Sequence, residues 1–125
     1  MNCPCGTGKA YDACCGRFHA GRPAPTAAQL MRSRYSAFVL RLDDYLRDTW
    51  HPGSCPGGPL TDEDTQWLEL VVEDAFAGKA WDQEGVVQFV ARYRDADGEG
   101  AIRERSRFVL EDGRWLYVDG VQLPA

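Results

Sequence analysis

Four cysteines in the first sixteen positions could do chemistry or hold something that does. Cys3, Cys5, Cys14 and Cys15 form two close pairs, one split by Pro4 and one adjacent, with eight residues between them. Gly6, Gly8 and Gly16 give the backbone the freedom that a tight wrap around an ion needs. A stretch this short cannot bury a core of its own. A tetrahedral four-thiolate zinc site is the simplest agent that would order it.

Two rival chemistries use the same residues. Two disulfides would need an oxidising compartment, and no basic then apolar leader precedes the cysteines. A reducing, cytoplasmic setting is therefore the expectation, in which clustered cysteines serve as metal ligands or redox groups. A bridge between adjacent Cys14 and Cys15 would also close a very small, strained ring. A thiol redox site usually places two residues between its cysteines, and neither pair has that spacing.

The run Cys-Pro-Cys-Gly-Thr-Gly-Lys-x-Tyr-x-x-Cys-Cys-Gly resembles the SEC-C motif, a small zinc-binding hook first named from the tail of the SecA translocase. The match covers Cys3, Cys5, Gly6, Gly8, Lys9, Tyr11, Cys14, Cys15 and Gly16, with Thr7 where serine is commoner. The resemblance implies that all four cysteines bind Zn2+ and that the hook holds a protein partner.

The hook must be carried by something. A chain of 125 residues supports one modest domain beside it, and a 44% hydrophobic share is ordinary for a globular protein. No apolar run approaches a membrane span of about 20 residues. The net charge of −5 argues against a general nucleic-acid binder. Residues 17–25 hold Gly21, Pro23 and Pro25 and read as an irregular linker, with His19 a bystander to a site already filled by four sulfurs.

Thr26 is an N-cap with Gln29 at the capping-box position. Leu30, Met31, Arg34, Phe38 and Leu42 recur at helical steps, so a helix runs from about Thr26 to Val39 or beyond. Asp43 and Asp44 suggest a break and a short second helix carrying Tyr45, Leu46 and Trp50, ended before Pro52. Pro52 to Pro59 is a loop holding the lone thiol Cys55, and Thr61 to Asp64 is read as one helical turn. Strands follow at Trp67–Glu73, Val86–Asp95, Ala101–Leu110 and Arg114–Asp119. A hairpin loop spans Asp95 to Gly100, and Glu111-Asp112-Gly113 is a turn. Helices first and a strand meander after imply an α+β domain, with helices on one face of an antiparallel sheet.

That order resembles the nuclear-transport-factor-2-like fold, a cone of curved sheet closed by helices over residues 26–125. More specifically the chain is similar to the YchJ-like bacterial proteins. The similarity rests on Phe-His-Ala-Gly, Leu-Met-Arg-Ser-Arg-Tyr-Ser-Ala-Phe, Asp-Tyr-Leu-x-x-Thr-Trp-His-Pro, Glu-Arg-Ser-Arg-Phe and Asp-Gly-Arg-Trp-x-Tyr-Val-Asp-Gly. It implies an architecture and no assigned reaction.

Alternation along the third strand puts Glu104, Ser106, Phe108 and Leu110 on the inner face and Arg103, Arg105 and Arg107 on the outer one. The fourth strand offers Trp115, Tyr117 and Asp119 on one face, Leu116 and Val118 on the other; both are apolar, so alternation does not choose between them. The fold family places ligands inside the cone. That nominates a pocket drawn from Arg34, Tyr35, His51, Glu104, Ser106, Tyr117 and Asp119. His51 with an inward carboxylate has the parts of an acid–base pair. Against that, Arg34 and Glu104 could form a structural ion pair, Tyr35 a core aromatic, and His51 the end of a helix. The outer arginines, joined by Arg92 and Arg94, are expected to pair with Glu69, Glu73 or Glu99 rather than with phosphate.

Three functions remain. The favoured one is a zinc-hook adaptor for a protein partner. The others are a small-molecule binder or acid–base enzyme using the cone, and a thiol switch that ejects zinc on oxidation. A sheet-mediated dimer is left open.

Overall fold

The computed structural model describes residues 1–124. The hook opens as a miniature hairpin. Asn2 bridges Ala10, the Cys3 N–H donates to the Lys9 carbonyl (2.9 Å), and Gly6 and Gly8 turn the chain at positive φ. A 3-10 turn, Tyr11–Ala13, leads to Cys14 and helix α1, Cys15–His19. Gly16 is there for space: a Cβ would lie 2.8 Å from the Tyr11 carbonyl oxygen. The expected linker is thus helical over residues 17–19. Phe18 and Ala24 are buried, because the segment packs rather than spans.

Helix α2, Ala27–Leu40, starts as expected, with the Thr26 hydroxyl accepting from Gln29 N–H (3.2 Å). It ends where Arg41 enters the left-handed region at φ 57°. It is buried on two sides rather than one. Met31, Arg34 and Tyr35 face the sheet, while small Ser33 and Ser36, both fully buried, lie against the hook side. Side chains of that size let a second layer approach closely. Helix α3, Asp43–Asp48, is shorter than expected, and Trp50 leaves it to form a bridge with Tyr117. The Asp43 carboxylate takes the N–H of Leu60 and the hydroxyl of Thr61. Residues 61–64 are not helical; the Asp62 carboxylate instead accepts the N–H groups of Asp64 and Thr65.

Strands β1 (Gln66–Ala77), β2 (Glu84–Asp95), β3 (Gly98–Glu111) and β4 (Arg114–Leu123) form one antiparallel meander in sequence order. All run longer than the alternation predicts. The β2–β3 loop shrinks to Ala96 and Asp97. The β3–β4 turn is Asp112-Gly113, both at positive φ, the two-residue hairpin chemistry its sequence advertises.

Two bulges decide which side chains face inward. In β1 an extra residue at Leu68 places Trp67 opposite Tyr93 and on the inner face with Leu70 and Val72, where simple alternation would put it outside. In β4 the register slips at Val118, so that Phe108 pairs with Tyr117 but Arg107 pairs with Asp119. Trp115 and Tyr117 therefore point in, while Asp119 points out. The segment Thr49–His51 adds a short parallel edge beyond β4: Tyr117 N–H donates to the Thr49 carbonyl (2.8 Å), and His51 N–H to the Tyr117 carbonyl (2.7 Å).

On the outer sheet face Arg103 pairs with Glu73 (2.8 Å), Arg92 with Glu69 and Glu99, Arg94 with Glu99, and Arg107 with Asp119. Arg105 lies on the amide oxygen of Gln88. All of the stripe but Arg105 is paired with acids within the sheet, as cross-strand pairing leads one to expect. No helix among the described residues is long and apolar enough to cross a membrane.

Candidate metal centre and cone cavity

The four hook cysteines are buried, none is in a disulfide, and their sulfurs all lie within 4.8 Å of one another. The Cys5 and Cys14 sulfurs are 3.6 Å apart. A tetrahedral metal with sulfur bonds of about 2.3 Å sets its sulfurs about 3.8 Å apart, so the spacing suits a metal far better than a disulfide. This cluster could hold a metal ion, and it is the set that the sequence singles out.

Its electrostatics point the same way. Hydrogen bonds, first from Cys15, draw the Cys5 thiol down to about 4. The same contact, followed by burial, pushes Cys15 up, and burial pushes Cys14 up. Left to itself the cluster accommodates one negative sulfur and resists the next, because like charges this close repel. A bound cation removes that resistance.

The hook is seated on α2 rather than tethered to it. Arg32 donates to the Cys5 carbonyl (3.0 Å), and the Cys3 sulfur meets the Ser36 hydroxyl at 3.6 Å. His19 is the joint. Its Nε2–H donates to the Ser33 carbonyl (2.8 Å), which makes Nδ1 the acceptor for the Tyr11 hydroxyl (2.5 Å). Its ring also meets Tyr45 edge-on, and burial holds its pKa below the ordinary imidazole value. The residue read as a bystander thus ties the hook, α1 and α2 together. Its spacing from the cysteines gave no hint of a role that depends on where α2 runs.

The second site is a cavity of about 270 Å³ between α2 and the inner sheet face. Of the seven residues nominated for it, Arg34, Tyr35, Glu104 and Tyr117 line it. Ser106 is buried beside it and donates to Glu104. His51 and Asp119 are elsewhere. Pairing of its backbone with β4 turns the His51 ring outward, where Nε2 lies 3.0 Å from Glu111; the acid–base pair with Glu104 does not form. Asp119 is carried out by the Val118 bulge and forks onto Arg107 at 2.7 Å.

The Arg34–Glu104 ion pair does not form either. The guanidinium lies against two aromatic rings that themselves meet edge-to-face, 4.9 Å from the Trp50 centroid and 4.7 Å from that of Tyr117. Its Nη1 donates to the Leu46 carbonyl and the Thr49 hydroxyl, both at 2.8 Å. Glu104 accepts instead from Ser106, from Gln122 (2.7 Å) and from the Tyr117 hydroxyl (3.2 Å). Burial holds Arg34 down to about 10 and pushes Tyr35 up to about 12; burial and then Glu104 push Tyr117 up as well. Trp50, Trp67 and Gln122 complete the site and were not anticipated. Trp50 sits past a helix end, Trp67 behind a bulge, and Gln122 beyond the expected end of its strand.

Comparison with known proteins agrees with this division. Residues 26–120 match the family described as "YchJ, middle NTF2-like domain", and residues 2–17 match the SEC-C motif. A UPF0225 protein of Chromobacterium violaceum is 50% identical over 124 residues, covering 95% of this chain and 91% of the relative. A UPF0225 protein of Streptomyces avermitilis is 49% identical, covering 95% and 83%. A solution structure of a SEC-C motif containing protein from Rhodopseudomonas palustris superposes with a TM-score of 0.83 at 36% identity, covering 99% of this chain and 100% of that one. A crystal structure of another, from Psychrobacter arcticus, gives 0.75 at 29% identity, covering 98% and 83%. With its motif, its fold and relatives across nearly its whole length in agreement, the chain belongs to the YchJ-like UPF0225 family of SEC-C motif proteins.

Proposed function

We propose that the four thiols hold a zinc ion and that the metal-bound hook docks a protein partner. The observation that carries this is the hook's division into a buried base and an exposed rim. Cys3, Cys5, Cys14 and Cys15 are buried, while Gly6, Thr7, Gly8 and Lys9 are exposed above them. Four soft sulfur donors at tetrahedral spacing suit zinc. A turn already ordered by metal loses little freedom when a partner covers it. Thiolate ligands also fit a reducing, cytoplasmic location.

The test must respect the seat on α2. Deleting the hook would strip the core of four buried cysteines, so a rim substitution is the sharper tool. Native mass spectrometry should find one zinc per chain, lost in Cys3→Ser. Cross-linked capture of one specific partner should be lost in Lys9→Glu while zinc is retained. Absence of metal, or capture indifferent to Lys9→Glu, overturns the reading. Zinc release at mild peroxide doses would move the hook to the switch function instead.

A second reading, a small-molecule site in the cone, is favoured by one specific observation. Trp50 lines the cavity, and its indole Nε1–H is buried with no hydrogen-bond partner.

A further inference from the structure

We infer that the cone binds a small monocarboxylic acid with an apolar, ring-sized body, its carboxylate seated between Arg34 and the Nε1–H of Trp50. The inference rests on the cavity reading just given and names the ligand's chemistry.

Buried polar groups are almost always partnered, and a buried cation is normally paired. Two groups at this cavity depart from that. The Trp50 Nε1–H makes no hydrogen bond. Arg34 is 3% exposed, yet no carboxylate lies within ion-pair distance of it among the described residues. Both of its hydrogen bonds leave from Nη1, so Nε and Nη2 make none among these residues. The two groups are neighbours, with the guanidinium over the Trp50 ring.

The cavity also holds one anion, Glu104, and an amine ligand could in principle seek it. That carboxylate is already served at both oxygens, by Gln122 on one and by Ser106 and Tyr117 on the other. The unspent capacity is donors and positive charge. It calls for an acceptor that is negative, and a carboxylate offers two oxygens to such a fork. Apart from Tyr35, the rest of the lining is Met31, Phe38, Trp67, Phe89, Ala91 and Ile102, which suits an apolar body. A volume of about 270 Å³ lies below the usual range for drug-sized ligands, which excludes a dinucleotide and favours a one-ring acid.

The experiment uses the full chain loaded with zinc. Phenylacetate, phenylacetamide and phenethylamine are titrated by ligand-observed NMR, with tryptophan fluorescence as a second readout because Trp50 and Trp67 line the site. Phenylacetate should bind saturably and at least about tenfold more tightly than the amide, the scale of one charge-assisted hydrogen bond. Trp50→Phe keeps an aromatic face beside Arg34 but removes the N–H together with the five-membered ring; the amide controls for the lost packing, and the variant should weaken phenylacetate about tenfold more than it weakens the amide. Arg34→Met should abolish the preference for the acid, and Trp50→Phe decides the matter if that variant does not fold. Equal binding of acid and amide, or an equal effect of Trp50→Phe on the two, overturns the assignment. Preference for phenethylamine overturns it while keeping the cavity as a small-molecule site. No saturable binding of any of the three at millimolar concentration overturns both.

Discussion

The Glu104 side chain occupies the space that a side chain at position 120 would need. A Cβ built on Gly120 would collide with the Glu104 carboxyl group and Cγ. Glu104 cannot easily yield, because Ser106, Tyr117 and Gln122 hold it. Gly120→Ala should therefore destabilise the domain by about 1–3 kcal/mol in urea unfolding, as overpacking does. Removing the obstacle should relieve it. Glu104→Ala should cost less in the Gly120→Ala background than in the wild type, and additive costs in this double-mutant cycle would show that the two positions do not compete for one space.

Arg34 depends on Thr49. The threonine hydroxyl accepts from the buried guanidinium and donates its own hydrogen bond to the Tyr45 carbonyl. Thr49→Val keeps the shape and leaves the cation with one protein acceptor. The expected loss is about 1–3 kcal/mol, read from the denaturant midpoint at unchanged slope.

Metal removal should unfold more than the hook. The cysteines belong to the same buried cluster as Leu30, Tyr35 and Phe108. A strong chelator should lower the melting temperature of one cooperative transition, with no separate early melt of the N-terminus. At a metal excess of roughly a thousandfold over Kd the loss is about 4 kcal/mol. A chelated protein that melts as the loaded one does would show the hook to be an appendage.

His19 predicts a pH dependence with a definite sign. Burial depresses its folded-state pKa below the unfolded value of about 6.5. The unfolded chain therefore takes up this proton first as the pH falls. The contribution of His19 is complete above the unfolded pKa and is lost as pH drops through the depressed folded one. His19→Phe should be less stable at neutral pH, having lost the bonds to Tyr11 and Ser33, and should show a shallower acid slope. Loss of metal in acid is common to both proteins, so the difference between their slopes reports the imidazole.

Two nominated residues should prove dispensable to the cone. Asp119→Ala and His51→Ala remove exposed ion pairs with Arg107 and Glu111, and pairs of this kind contribute little. Melting temperatures should stay within error of the wild type. A marked shift of tryptophan fluorescence in either variant would place it nearer the cavity than its backbone allows.

The parts of this molecule legible in the sequence are those that depend on near neighbours. Cysteine spacing gave the cluster that could hold a metal, Thr26 gave the start of α2, Asp112-Gly113 gave a hairpin, and alternation gave the inner face of β3. What escaped depends on distant parts of the chain. A bulge leaves no residue signature, yet one at Leu68 brings Trp67 in and one at Val118 sends Asp119 out. The direction of His51 is set by pairing with Tyr117, far along the chain. The role of His19 needed the position of Ser33, which only the packing of two helices supplies.

The seat of the hook on α2 also bears on the order in which the molecule assembles. All four hook cysteines lie within a short stretch, and α2 begins about a dozen residues later. Closing that loop brings together residues near in sequence, a fast event, whereas the four-strand meander and its docking onto α2 join residues much further apart. A metal-closed hook can thus offer Ser33 and Ser36 a surface before any strand has been made, and α2 can wait on it with one flank already covered. If the cluster holds zinc as proposed, the ion would act as a nucleus during synthesis, and zinc-starved cells would lose the protein to misfolding rather than accumulate an inactive folded form.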